Sequence, residues 1–314
     1  MSNRFQTYVL IVAFVGLLIL PFVGSRYSVE LATQILIFGL LASSLNILVG
    51  YLGAASFGHA AFFAIGGYAC AYFLTTLALP LVVSMIGAIV LTALASLVIG
   101  FFCVRLNEIY FSMLTLAFSM LIWAIALKWK SVTGGDDGFV GVAVPEYLSN
   151  YFNFFLFTLG VVTISVIVLM IIGNSTMGRV FIAIRENQTR ASFLGVNVRR
   201  MQLIAFVIAG TFAGVAGTLL ALYVRGMYPE TAFWSQSGHV LIMVLLGGMH
   251  AFIGPFLGAS VLTLLEVMIG QHTEYWQVFV GIILVIVVLA APEGIYGLVR
   301  SAAKRLRGQQ DDDA

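Results

Sequence analysis

The sequence predicts an all-α fold, namely a polytopic membrane protein with about 8–10 transmembrane helices, some broken or re-entrant at Gly-rich segments. Of the 314 residues, 61% are hydrophobic and only 9% are charged, whereas an ordinary soluble domain has about 25% charged residues. The apolar residues form blocks of roughly 15–25 residues, and a helix of about 20 residues crosses the hydrocarbon core of a bilayer. The alternation typical of barrel strands is absent. Backbone groups in lipid must therefore find partners within helices.

Apolar blocks along the whole chain, residues 1–314, indicate one transmembrane domain. The first block follows a lone Arg4, and we expect a retained helix there instead of a cleaved signal peptide, because similar spans follow immediately. Each block has the length and composition of a membrane helix. The blocks cover residues 8–23, 29–49, 54–79, 81–103, 109–127, 151–172, 203–225, 238–270 and 275–291.

Gly-rich sequence interrupts two of these blocks. One interruption lies at residues 247–250 and 254–255, where we expect the long block to break, and the other opens the block at 54–79. In transporters built from repeated halves, paired interruptions tend to mark the substrate path, because unwound backbone can bind solute. Two histidines, His59 and His250, stand at these interruptions. For each of them, a packing or hydrogen-bonding role stays open beside a role in the solute path. The candidate path residues are Ser56, Gly58, His59, Gly247, Gly248 and His250.

The polar stretch at 173–202 predicts a cytoplasmic loop. It carries five arginines against a single glutamate, and basic residues beside spans mark the cytoplasmic side. The tail at 301–314 is predicted to be cytoplasmic by the same rule, since its charged residues begin with Lys304, Arg305 and Arg307.

A short helix is expected within this loop. Asn187 can cap it, residues 188–194 can form it, and Gly195 can end it. Phe193 and Leu194 stand beside basic residues, a pattern suited to docking in a groove of a soluble partner. The alternative is an amphipathic linker that rests on the membrane surface.

The sequence gives little sign of catalysis or of cofactor binding. No metal-ligand cluster or metalloprotease motif is present, and Cys70 and Cys103 are interpreted as small buried hydrophobes. The phosphate loop of nucleotide hydrolases is also absent, so we expect no ATP hydrolysis by this chain. A net charge of +2 gives no argument for nucleic acid. The repeats Gly210-x-x-x-Gly214 and Ala213-x-x-x-Gly217 predict close helix packing.

An ordered series of motifs runs through most of the chain. The motifs are Ser56-Phe57-Gly58-His59-Ala60-Ala61-Phe62-Phe63, Thr133 to Gly138, Gly178 to Asn187, Ala191 to Val196, Phe206 to Gly210, Ala213 to Gly217, Leu246 to Met249 and Gly254 to Ala259. This series resembles the permease subunits of ABC importers for branched-chain amino acids, of the LivM type, and the similarity extends roughly over residues 30–300. One departure is the acidic pair Asp136-Asp137, where relatives often carry less charge.

The resemblance implies a division of labour. The expected partners are a second permease subunit, two ATP-binding subunits, a soluble substrate-binding protein and the lipid bilayer of a bacterial-type cytoplasmic membrane. The loop would hold a coupling helix that sits in a cleft of an ATPase subunit. Its implied coupling residues are Arg185, Glu186, Asn187, Ala191, Phe193, Leu194 and Gly195.

Three rival functions stay open. A urea or short-amide importer subunit of the same superfamily would share the fold, because selectivity would reside largely in a separate binding protein. A secondary transporter or channel would need no ATPase, but deep paired carboxylates, which would favour it, are not seen. A membrane-embedded enzyme would need a convergent polar cluster.

Overall fold

Long apolar helices make up most of the protein. The structure is a computed structural model that describes residues 16–249, 251–271, 278–279, 281–283, 285 and 294–297. Within these residues, five helical spans of 20–27 residues are long and apolar enough to cross a membrane, and two apolar helices of 17 residues accompany them. The predicted all-α membrane fold is confirmed.

The helices follow the predicted blocks in order. Residues 16–23 are helical, and a π-helical turn, Ile47–Leu52, extends the first long helix. The numbered helices are α1 Arg26–Asn46, α2 His59–Thr75, α3 Leu81–Cys103, α4 Glu108–Lys128, α5 Lys130–Thr133, α6 Tyr151–Asn174, α7 Thr176–Glu186, α8 Gln188–Phe193, α9 Val198–Val224, α10 Trp234–Gly247 and α11 Gly254–Gly270. The 3₁₀ turns are Gly135–Asp137, Glu146–Leu148 and Pro229–Ala232.

Both predicted interruptions occur as breaks between helices. We call residues 53–58, between the π-turn and α2, the first break. The second break, residues 248–253, separates α10 from α11 and confirms that the long block is divided. His250 lies outside the described residues, as do the tail at 301–314 and most of the block predicted at 275–291.

A short strand pair, which the sequence did not predict, closes one end of the helices. Strand β1 Phe139–Val140 pairs antiparallel with β2 Gly226–Met227. Just after β1, the amides of residues 141 and 142 both donate to the carbonyl of Arg225, each at 3.1 Å. We call this the strand end. The opposite end, which carries α7 and α8, is the loop end.

Glycines bring α2 and α9 into backbone contact at the centre of the protein. A Cβ on Gly217 would collide with the carbonyl oxygen of Phe63, and one on Gly66 would collide with the backbone of Gly214. The other side of α9 packs on α3, where a Cβ on Gly210 would lie 2.6 Å from Cβ of Ser96. The predicted role of the small-residue repeats in close packing is confirmed.

This close approach predicts different effects for the same substitution at two helical glycines. Gly217→Ala should lower the free energy of unfolding by about 1–3 kcal/mol, because the added methyl forces α2 and α9 apart. Gly160→Ala, in α6, is the control, since Gly160 is exposed and has open space around its Cβ position. It should be neutral or stabilise the helix by up to about 1 kcal/mol. Thermal unfolding in detergent micelles measures both, and equal effects would contradict the packing argument.

Candidate functional site

The short helix α8, within the loop, has an exposed apolar tip at its C-terminus. The Oδ1 of Asn187 accepts a hydrogen bond from the amide of Arg190 at 2.8 Å, which caps the first turn. At the other terminus Gly195 has φ +86°, and the amide of Val196 donates to the carbonyl of Ala191 at 3.2 Å. This is the Schellman motif, in which a left-handed glycine stops a helix. The predicted cap and stop of this helix are confirmed.

The tip presents two large apolar side chains to the surroundings. Phe193 is 87% exposed and Leu194 is 79% exposed, whereas Ala191 is 2% exposed and packs inward. The basic residues around them, among them Arg190, Arg199 and Arg200, are also exposed. We call Phe193 and Leu194 the docking knob. Two exposed apolar side chains on a capped, basic helix are suited to an apolar groove with an acidic rim.

A second loop helix, α7, carries α8 and was not predicted. The hydroxyl of Ser175 accepts from the amides of Met177 and Gly178 at 3.1 and 3.4 Å, and Phe181 and Ile184 are fully buried. A signal was present, because a serine cap precedes apolar residues spaced three and four apart. With 11 residues, this amphipathic helix is too short to be indicated by an apolar block of membrane length.

The first predicted coupling residue, Arg185, points into the protein. It stands near the end of α7, and its Nη1 donates to the carbonyl oxygen of Gly50 in the π-turn at 2.5 Å. Its stem crosses Gly53, where a Cβ would lie 2.7 Å from Cγ of Arg185. Gly53 has φ +79°, a conformation that suits glycine. Glu186 and Asn187, by contrast, are exposed.

Neighbouring hydroxyls satisfy the backbone of the first break. The amide of Phe57 donates to Oγ1 of Thr115 at 3.2 Å, and the hydroxyl of Ser112 donates to the carbonyl of residue 55 at 2.6 Å. The amide of residue 60 donates to Oγ of Ser237 at 2.9 Å. Ser56 turns back on its own segment and accepts from the amide of Gly58 at 3.3 Å. Helix α4 thus supplies hydrogen-bond partners to a segment outside the helices, and α10 supplies one to the first turn of α2.

His59 begins α2 and ties it to α1. Its Nε2 lies 2.8 Å from Oγ of Ser44, and that hydroxyl also donates to the carbonyl of Leu41 at 2.7 Å. Because a hydroxyl has only one hydrogen, we assign the ring proton to Nε2, which donates to Ser44. The other ring nitrogen, Nδ1, is buried and has no hydrogen-bond partner among the described residues.

Glycines also hold the second break. A Cβ on Gly247 would collide with the carbonyl of Gly254, and one on Gly258 would collide with the carbonyl of Met243. Here α10 and α11 approach as closely as backbones can. The carbonyl of Met249, in the second break, reaches the π-turn, because a Cβ on Gly50 would collide with it. The second break therefore meets the π-turn just before the first break, at the loop end.

A cavity of about 580 Å³ opens at this meeting point. Ser56, Gly58, His59, Gly247 and Gly248 are buried and do not line it. Their assignment to a solute path stays a prediction. The lining residues are Gly50, Tyr51, Gly173, Asn174, Ile182, Arg185, Glu186 and Met249.

Spanning helices with two breaks beside a docking loop define a membrane transport subunit. The family described as "Branched-chain amino acid transport system / permease component" matches residues 27–288. The chain belongs to this family. The resemblance to LivM-type ABC importer permeases is therefore confirmed.

Curated relatives agree with this assignment. The high-affinity branched-chain amino acid transport system permease proteins LivM of Salmonella typhimurium and Escherichia coli are each 29% identical, over 92% of this chain and 74% of theirs. The corresponding permease protein LivH of Escherichia coli is 33% identical over 39% of this chain and 40% of its own. No solved structure matches the chain.

The bond between His59 and Ser44 predicts coupled effects on stability. His59→Leu and Ser44→Ala should each destabilise the protein, and the double variant should lose less than their sum, with an interaction energy of about 0.5–1.5 kcal/mol. Ser43→Ala is the matched control, because the Ser43 hydroxyl is buried without a partner among the described residues. Thermal unfolding in detergent gives the four values, and additive losses would mean that this bond contributes nothing.

Proposed function

We propose that the chain is one of two permease subunits in an ABC importer that carries branched-chain or similar small amino acids across the cytoplasmic membrane of a bacterial-type cell. The docking knob is the main support for coupling to ATP hydrolysis, because Phe193 and Leu194 are exposed on a capped helix at the loop end. A soluble binding protein would deliver the solute from the opposite side.

ATP hydrolysis belongs to separate chains in this proposal. Two ATP-binding subunits would each receive a coupling helix in a surface cleft, and the knob would occupy the cleft on this chain. When the ATP-binding subunits close and reopen, the knob and α7 would move with them. The permease pair would then open alternately to either side of the membrane. The chain itself is a transport subunit and not an enzyme.

The cargo is inferred from the relatives. LivM and LivH are both named for branched-chain amino acid transport, and their joint similarity to this chain supports a pair of permease subunits. The rival cargo, urea or a short amide, has no supporting observation among the described residues. A secondary transporter or channel would also leave the exposed knob without a role.

The proposed organisation keeps the whole chain, residues 1–314, as one permease domain. The loop at 173–202 is the cytoplasmic coupling segment, because its five arginines against one glutamate follow the rule for cytoplasmic loops. The tail at 301–314 would lie on the same side. The buried residues of the two breaks, with His250, would line the solute path when the permease changes conformation.

The experiment that tests this function is a pull-down of the tagged chain from its native membrane. ATP-binding subunits and a second permease should co-purify, and proteoliposomes containing the complex and binding protein should take up radiolabelled leucine only with ATP. Uptake of radiolabelled urea in place of leucine would change the cargo. Solute movement by the chain alone, without ATP, would replace the proposal with a secondary transporter or channel.

Charge on the docking knob should separate the subunits. Phe193→Asp with Leu194→Asp should reduce co-purification of ATP-binding subunits at least about tenfold, because two apolar anchors of an interface are lost and buried charge is introduced. Val140→Asp is the control, since this side chain is 67% exposed at the strand end. Full retention of the partners by the double variant would show that the knob is not the docking element.

A further inference from the structure

One side chain connects the loop to both breaks. Arg185, near the end of α7, donates to the carbonyl of Gly50, which lies 135 positions earlier in the chain. Its aliphatic stem lies on Gly53, at the start of the first break. The residue is half-buried, so its guanidinium is directed at the membrane helices and away from the exposed knob.

The acceptor has a chemical reason to need this donor. Gly50 belongs to the π-turn at the end of α1, and the last carbonyls of a helix lack partners within it. They also carry the negative end of the helix dipole. A guanidinium is always charged and holds its donors in a rigid plane, so it can fix such a carbonyl in one direction.

Gly50 passes the contact on to the second break. The position that a Cβ would take on Gly50 is crowded by both the carbonyl oxygen of Met249 and Oδ1 of Asn46, and a Cβ would collide with both. Any displacement of Gly50 therefore presses on the backbone beside Gly248. Arg185, Gly50 and Met249 form a continuous chain of contacts from the loop to both interruptions.

Space beside these contacts permits movement. The cavity of about 580 Å³ lies against Arg185, Gly50 and Met249 and is also lined by residues of α6 and α7. Close-packed interiors resist small displacements, whereas an unfilled space lets a helix shift without collisions. Helix α7 can thus shift relative to α1 while the bond from Arg185 to Gly50 is kept.

We propose that Arg185 is a positioning residue that transmits movement of the docked α8 to the two breaks through Gly50 and Met249. The proposal rests on the proposed function, because it requires α8 to dock on an ATP-binding subunit. It assigns Arg185 to transmission inside the permease and leaves the contact with the partner to Phe193 and Leu194.

The test compares Arg185→Gln with Arg179→Gln in the complete complex reconstituted with binding protein. Arg179 is an exposed arginine of the same helix whose Nη2 bonds only locally in the described contacts, to Thr176, so the second variant removes an equal charge away from the breaks. For Arg185→Gln, ATP-binding subunits should co-purify as in the parent and ATP hydrolysis should stay within about twofold. Leucine uptake should fall about tenfold, so the ATP hydrolysed per leucine rises. Arg179→Gln should change none of these.

Two further variants keep the test decisive. Arg185→Lys retains a charged donor and should recover part of the uptake. Gly50→Ala leaves Arg185 intact but inserts a methyl between Gly50 and Met249, and it should raise the ATP hydrolysed per leucine in the same way.

Three results would overturn the proposal: unchanged uptake in Arg185→Gln, parallel loss of uptake and of co-purifying ATP-binding subunits, or equal effects of Arg179→Gln. If Arg185→Gln does not fold, an unchanged ratio in Gly50→Ala overturns it instead. Failure of the proposed function gives a separate result, because no ATP-binding subunits would then co-purify with the parent chain.

Discussion

The rest of the structure depends on the demand that every backbone amide and carbonyl within the membrane must have a hydrogen-bond partner. A broken helix exposes several such groups at once. Here the hydroxyls of Thr115 and Ser112 bond to the first break, and that of Ser237 bonds to the first turn of α2. Lipid tails are as apolar as leucine and do not tell one apolar helix face from another. These hydrogen bonds therefore fix the positions of α2, α4 and α10 relative to each other.

Glycines meet a second requirement of the membrane fold, the close packing of helices. Where a glycine replaces a larger residue, two backbones can touch, and van der Waals contact takes the place of the hydrophobic effect that drives packing in water. Gly217 and Gly66 do this for α2 and α9, and Gly247 and Gly258 do it for α10 and α11. Gly50 combines both properties, since its carbonyl is bound by Arg185 and its Cα admits the carbonyl of Met249.

Local signals made much of this fold predictable. Helix α3 has the predicted bounds because Pro80 precedes a continuous apolar block, and α8 follows its asparagine cap and glycine stop. Interactions between residues far apart in the chain could not be predicted from the sequence. The bond from Arg185 to Gly50 joins two segments that have no common pattern, and strand β1 is too short to show a period. Helix α7 was not predicted for a different reason. Its apolar residues lie on one face of a short helix and form no continuous apolar block of membrane length.

The contact between Gly66 and Gly214 has a consequence for biogenesis. The ribosome makes Gly66 of α2 almost 150 residues before Gly214 of α9, and at about 5–20 residues per second the interval is on the order of ten seconds. During that time the small-residue face of α2 must lie against lipid or against the insertion machinery. The nascent chain therefore carries this unfilled small-residue face through almost half of its synthesis, and the arrival of α9 turns a row of inserted helices into a folded protein.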